Sequence, residues 1–233
     1  MYQQQIANAY RTPARTGLTA DETETFLGQV YRWMAVGLGI TGATAMGVAS
    51  SPEALALIFG TPLYLGLIIA QFVLVMAISP LVGKLSKPVA GGLFMLYSAL
   101  TGATLSVIFL RYEIGSIATT FFVTAGSFAG LSAFGLLTRK SLTSWGSFLF
   151  MGLFGIVLAS VVNLFIGSAA IQWVMSVASV VVFTGLIAYD TQRLKDLAPV
   201  AGRNGAIHGA LMLYLDFINL FLALLRLFGS RRD

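Results

Sequence analysis

Long apolar stretches, each about the length of a membrane-crossing helix, alternate with short polar segments along most of this sequence. A helix needs roughly 20 mostly apolar residues to cross a bilayer, and seven stretches approach that length. Proline or charged residues interrupt them, as at Pro52, Pro80 and Arg111. The pattern predicts transmembrane helices over about residues 28–50, 55–79, 89–110, 116–138, 147–166, 170–192 and 206–228.

Short connections between these stretches indicate that consecutive helices are antiparallel neighbours. We therefore predict an all-α membrane protein with one seven-helix transmembrane domain over residues 26–229. It is preceded by a polar cytosolic tail, residues 1–25, which lacks the apolar core of a signal peptide, and followed by a short basic tail, residues 230–233. The seventh stretch contains the polar residues His208, Asp216, Asn219 and Arg226. With six spans and a half-inserted last segment, the C-terminus would instead be cytosolic.

Composition supports the membrane assignment, since 57% of the 233 residues are apolar and only 10% are charged. A soluble domain of this size needs more charge on its surface. The absence of cysteine excludes disulfides and thiol chemistry. The net charge of +5 does not indicate nucleic acid, because the basic residues are scattered. With a cytosolic N-terminus, the positive-inside rule is met by Arg11, Arg15, Lys84, Lys87, Arg139, Lys140, Arg193, Lys195 and Arg203.

Two aspartates are the main candidates for chemistry, because ionisable groups at membrane depth are costly and rare. Asp190 lies near the end of the sixth predicted helix and Asp216 near the middle of the seventh. At about 100° per residue, Asp190 shares one face with Gln172, Ser176 and Ser179, which predicts a polar stripe facing the bundle interior. A short loop joins the two helices, so the two carboxyl groups can meet. Alternatively, each aspartate has only a structural role, bonded to neighbouring hydroxyl or basic groups.

A buried carboxyl pair would form a proton-sensitive latch, because two carboxylates in a dry site tend to share one proton. After losing that proton the pair would attract a cation such as Ca²⁺, which prefers oxygen ligands. Two acidic residues are too few for a tightly bound metal, so a transient site in a pore is expected, and no cofactor. We expect no enzymatic activity, since no catalytic motif occurs. Close helix packing is predicted at the glycine pairs Gly205/Gly209 and Gly126/Gly130.

The residues around both aspartates resemble the Bax inhibitor-1 family, also called the transmembrane Bax inhibitor motif family. The strings are Tyr-Asp-Thr-Gln at residues 189–192 and Leu-Tyr-Leu-Asp-Phe-Ile-Asn-Leu-Phe at residues 213–221. Leu-Tyr-Ser-Ala-Leu-Thr-Gly at residues 96–102 is similar to the bacterial inner-membrane branch, and the likeness covers nearly the whole chain after the tail.

The resemblance implies seven helices with the last one central, and a pH-sensitive calcium leak in which Asp190 and Asp216 form the latch. Asn219 then becomes a candidate for the polar lining. An arginine of some bacterial relatives pairs with the latch, and Lys84 occupies the matching position, although lysine lacks the bidentate guanidinium fork. The implied location is the bacterial inner membrane, with a cytosolic N-terminus and a periplasmic C-terminus.

An interaction protein is the second hypothesis. Some bacterial relatives are thought to modulate a membrane protease, and the polar tail, residues 1–25, could make that contact. Deleting the tail would separate the two hypotheses, because an ion leak should survive the deletion and partner regulation should be lost.

Overall fold

The computed structural model describes residues 20–202 and 204–232, with only the backbone described for Ala20, Ser79 and Pro80. The first 19 residues, which form most of the predicted tail, and Arg203 lie outside this range. The described residues are predominantly helical and contain no β-strand, only an isolated bridge between Tyr112 and Arg231. The helices are α1 Ala20–Ala49, α2 Pro52–Phe59, α3 Leu63–Leu81, α4 Lys87–Leu105, α5 Ile108–Arg111, α6 Ile114–Leu137, α7 Thr143–Ile166, α8 Ala169–Leu197 and α9 Gly205–Phe228.

Several of these helices can cross a membrane, which confirms the all-α membrane class. Five spans are long and apolar enough: α4 with α5, α6, α7, α8 with the turn after it, and α9. A sixth results if α1 and α2, which are bent by 100° at their junction, count as one span. Helix α3 is apolar, but its described apolar part, Leu63–Ile78, is shorter than the length required of a membrane span. The predicted number of seven spans therefore stays a prediction.

The second predicted helix, residues 55–79, is wrong as a single element, because the chain breaks after Phe59 and restarts at Leu63. Pro62 has no N–H to donate and cannot continue a helix from the preceding turn. The Gly60 N–H bonds to the Ala56 carbonyl at 2.9 Å, and the Thr61 hydroxyl donates to the Leu57 carbonyl at 2.6 Å. These bonds end α2 and separate it from α3.

Helix α9 is the centre of the bundle, as predicted for the last helix. It packs against α1, α4, α6 and α8. Each of its residues except Arg226 and Phe228 is buried or half-buried. By contrast, the buried residues of α7 are only Gly146 and Leu149, and its exposed phenylalanines present an apolar surface suited to lipid. The polar residues of α9 are therefore held inside the bundle.

Hydrogen bonds between the segments that connect the helices show which of these segments lie at the same end of the bundle. The Asn204 side chain, just before α9, donates to the Val82 and Leu85 carbonyls of the α3–α4 connection at 2.7 and 2.8 Å. At the other end of α9, the Arg232 N–H bonds to the Arg111 carbonyl at 3.1 Å. The C-terminal residues therefore lie beside the α5–α6 connection, opposite the α3–α4 and α8–α9 connections.

Candidate functional site

Asp190 and Asp216 meet inside the bundle. Asp190 lies in the last third of α8 and Asp216 lies at the middle of α9. Each residue is only 5% exposed, and a hydrogen bond joins the two side chains. The structure thus brings together the two aspartates that helical spacing placed on facing helices. Their role in an ion pathway stays a prediction.

The pair is incompletely hydrogen-bonded, which is unusual for buried acids. A hydrogen bond between two carboxyl groups requires a proton on one of them. Asp190 Oδ1 and Asp216 Oδ2 are both buried and have no hydrogen-bond partner within the described part of the chain. Buried polar atoms in native proteins are nearly always paired with protein groups, water or ions. The two free oxygens can therefore accept a hydrogen bond from water or coordinate a cation.

Residues that follow Asp190 fix the end of α8 against α6 and the α6–α7 connection. The Thr191 hydroxyl, fully buried, bonds to the Ser132 hydroxyl of α6 at 3.2 Å. The Gln192 side chain accepts from the Leu142 N–H at 2.7 Å and donates to the Lys140 carbonyl at 3.0 Å. Asp190 is thereby held by α6 and α7 on one side while α9 carries its acidic partner on the other.

The basic group whose charge acts on Asp190 is Arg193, one turn further along α8. Arg193 is exposed, and its charge also acts on His208 of α9. Lys84, the predicted latch partner, is exposed in the turn Val82–Lys84 after α3, and the described residues include no ion pair between Lys84 and either aspartate. Its role stays a prediction, whereas sequence reasoning had given Arg193 no part in the site.

The predicted polar lining divides into buried and exposed members. Ser176 and Ser179 are buried, and their hydroxyls donate to the Gln172 and Met175 carbonyls of their own helix at 2.9 and 2.7 Å. The side chain of Gln172 itself is exposed, because it lies in the first turn of α8. It does not face the interior as the stripe predicted. Asn219 is half-buried and donates to the Leu215 carbonyl at 2.8 Å.

A second buried polar group, on the side of α9 that faces α1 and α4, was not predicted. The Thr41 hydroxyl donates to the Ser98 carbonyl at 2.9 Å, so at its 2.6 Å contact with Tyr214 it accepts the phenol proton. Tyr214 is fully buried, with its ring edge-to-face against Phe94 and Tyr97. This contact fixes α9 against α1 and α4, two residues before Asp216.

Replacing Tyr214 by Phe should destabilise the protein by about 1 kcal/mol, the usual net value of a buried hydrogen bond. For a chain of this size such a loss lowers the thermal midpoint by roughly 2–4 °C. Thermal unfolding of the purified protein in detergent measures the shift. Tyr64→Phe is the matched control, because Tyr64 is half-buried and no side-chain hydrogen bond to it occurs in residues 20–202 and 204–232. Equal midpoints for the two variants would contradict the role given to the Thr41–Tyr214 contact.

Metal ligands are few around the aspartates. The described part of the chain contains no group of three or more His, Cys, Asp or Glu side chains placed to hold a metal ion. The acid pair thus offers two carboxyl groups and no third acidic ligand, an arrangement suited to brief contact with a cation.

Comparison with known proteins identifies related membrane proteins. A family model described as "Inhibitor of apoptosis-promoting Bax1" matches residues 23–233. The chain is 50% identical to the inner membrane protein YbhL of Escherichia coli K12, covering 90% of this chain and 93% of YbhL. It is 45% identical to an uncharacterized protein of Borreliella burgdorferi, covering 89% and 93%. An uncharacterized membrane protein of Streptococcus pyogenes serotype M1 is 36% identical, covering 88% and 92%.

Proposed function

We propose, from the premise that this chain belongs to the Bax inhibitor-1 family, that it is a passive, pH-sensitive leak for calcium ions gated by the Asp190–Asp216 pair. The chain is an integral, multi-pass protein of the inner membrane. The observation that supports the gate is the buried pair itself. Two acids on adjacent helices are hydrogen-bonded to each other, and each has one oxygen without a partner among the residues that the structure describes.

Gating follows from the proton that the two carboxyl groups share. With the proton present, the hydrogen bond holds α8 against α9. Without it, two negative charges about 4 Å apart repel each other by roughly 4 kcal/mol at an effective dielectric constant of 20. That repulsion favours separation of the helices and exposes oxygen ligands that suit Ca²⁺. The leak should therefore increase as the pH rises.

Orientation is part of the proposal. Arg193 lies near the end of α8, which a short connection joins to the start of α9. Lys140 lies at the same end of the bundle, because its carbonyl accepts a hydrogen bond from the side chain of Gln192. Arg111 and Arg232 lie at the opposite end. The predicted cytosolic segments carry more basic residues than the others, and such segments normally face the cytosol. We therefore place the start of α9 on the cytosolic side and its end, Phe228, on the periplasmic side.

Ca²⁺ flux into liposomes that contain only this protein tests the proposal. Flux should rise between about pH 6 and pH 8, the range in which a buried carboxyl group can titrate. The double substitution Asp190→Asn with Asp216→Asn should remove the pH dependence, because amides form the same contact without a titrating proton. Protein-free liposomes are the control for passive leakage. A parent flux equal to that control would refute the leak, and an unchanged pH response in the double variant would refute the gate.

The interaction hypothesis stays a prediction, because most of the tail on which it rests lies outside the described residues. Removing residues 1–25 and repeating the flux measurement separates the two hypotheses, because an ion leak should survive the deletion whereas partner regulation should be lost.

A further inference from the structure

A small cavity lies at the end of the bundle where α9 begins. Its volume is about 230 Å³, and α1, the α3–α4 turn, the end of α8 and the start of α9 enclose it. Its walls include Phe26, Leu194, Ala201, Asn204 and His208.

Two polar atoms in the walls of this cavity have no hydrogen-bond partner among residues 20–202 and 204–232. Asn204 is 1% exposed, and its Nδ2 is fixed by the Val82 and Leu85 carbonyls. Its Oδ1 is buried without a hydrogen-bond partner in the described part of the chain, and so is Nδ1 of His208. Such atoms are normally paired with water when no protein group reaches them. Because a water molecule needs only about 10–15 Å³ of such a cavity, there is room for several here.

The cavity adjoins a second cavity at the protein surface and lies at the end of α9 from which the helix runs inward to Asp216. A neighbouring surface cavity of about 460 Å³ is lined by Asp21 and Glu22, and it shares Phe26 and Ala201 with the first cavity. On the inner side, His208 precedes Asp216 by eight residues on α9, a rise of about 12 Å at 1.5 Å per residue.

Charges near this cavity have opposite signs. The carboxylate of Asp21, exposed at the surface, attracts cations. The charge of Arg193 acts on both His208 and Asp190, so it opposes entry of a cation into this part of the bundle. The neutral amide oxygen of Asn204 can replace part of the water around a hydrated cation at this point, and the imidazole of His208 can form a hydrogen bond with the water that remains.

We infer that this cavity is the water-filled cytosolic mouth of the ion path. Asn204 Oδ1 there coordinates a hydrated divalent cation or accepts a hydrogen bond from its water, and His208 Nδ1 forms a hydrogen bond with that water, before the cation reaches Asp216 and Asp190. The inference rests on the proposed leak function and adds to it the route, one oxygen ligand and one group that bonds to water on the cytosolic side.

Hydration can be tested without measuring flux, because the chain has no cysteine and any introduced thiol is unique. Leu194→Cys places a thiol in the cavity wall, at a residue that is 3% exposed. Ile207→Cys is the matched control: Ile207 is 1% exposed, precedes His208, and does not line this cavity. Both variants are placed in vesicles of phosphatidylethanolamine and phosphatidylglycerol and treated with a cationic methanethiosulfonate reagent. We expect modification of the Leu194→Cys protein at least tenfold faster.

His208→Leu connects hydration to transport. The described residues include no hydrogen bond from the His208 side chain that the fold would lose. In the Leu194→Cys protein this substitution should slow thiol modification severalfold, since it removes a polar group from the cavity wall. In the otherwise unchanged chain it should lower Ca²⁺ flux at least threefold. Ile207→Leu should leave the flux at the parent level.

The outcomes separate this inference from the proposed gate. Equal modification rates for the Leu194→Cys and Ile207→Cys proteins would mean a dry cavity and would overturn the inference. An unchanged flux in His208→Leu would equally overturn it, even with a hydrated cavity. If both results are as expected but the double asparagine variant keeps its pH response, the gate fails while the cytosolic mouth stands.

Discussion

Asp190→Lys should reduce Ca²⁺ flux at pH 8 at least tenfold and make the remaining flux independent of pH. A lysine at this position places an ammonium group opposite the Asp216 carboxyl group, where the parent protein has a hydrogen bond between two acids. Opposite charges in a low-dielectric interior attract strongly and keep both groups ionised. The two helices are then held together at every pH, whereas the proposed gate requires the parent pair to separate when its proton is lost.

The matched control is Asp196→Lys, which makes the same change of charge on the same helix. Asp196 is exposed, so lysine there remains in contact with water or headgroups and should change the flux less than about twofold. Thermal unfolding of both variants shows whether either has lost its fold. A folded Asp190→Lys protein whose flux still rises with pH would exclude the acid pair as the gate.

The acid pair could be predicted from sequence because charge is rare in this chain. Within long apolar stretches, Asp190 and Asp216 stand out, and a short connection limits how far apart their helices can lie. The helical period then predicted the inward face of α8 correctly at Ser176 and Ser179. The prediction failed at Gln172, which is exposed. The helical period gives the direction in which a side chain points, but it does not show how far along the helix other helices pack against that face.

Uncharged polar contacts could not be predicted in the same way. Thr41 and Ser98 are common residue types in membrane helices, and their hydroxyls can bond to carbonyls of their own helix. The Tyr214 hydroxyl, at the far end of its ring, needs a partner on another element. Their contact depends on the mutual rotation of α1, α4 and α9, which no local pattern specifies. The break before Leu63 did have a local signal in Gly60 and Pro62, but the apolar residues around it dominated the prediction.

Glycine pairs show the limit of a sequence motif most directly. Gly205/Gly209 was predicted to permit close packing, and a side chain at Gly209 would meet Leu194 at 2.7 Å and Val30 at 3.2 Å. Gly126/Gly130 has the same spacing, yet both glycines are exposed, and a Cβ at either would have no neighbouring atom within 4 Å. The packing prediction for that pair is wrong, because spacing alone does not tell a helix face that meets protein from one that meets lipid.

Gly135→Ala, five residues further along α6, should therefore have the opposite effect to Gly130→Ala. A Cβ at Gly135 would overlap the Ala188 carbonyl oxygen and lie 3.2 Å from Thr191 Cβ. Since the obstacle is backbone, α6 and α8 must move apart, at a cost of about 1–3 kcal/mol or more. At Gly130 only the helix propensity changes, which favours alanine by roughly 1 kcal/mol.

Thermal unfolding in detergent should separate the two variants by several degrees, with Gly135→Ala below the parent and Gly130→Ala at or above it. Ala188 precedes Asp190 by two residues, so displacement of α8 should also change how the carboxyl groups meet. Gly135→Ala should consequently alter the pH dependence of Ca²⁺ flux, while Gly130→Ala should keep the parent profile. Equal midpoints and equal pH profiles would mean that α8 is not held tightly against α6. The contact at Gly135 would then not be what positions Asp190 against Asp216.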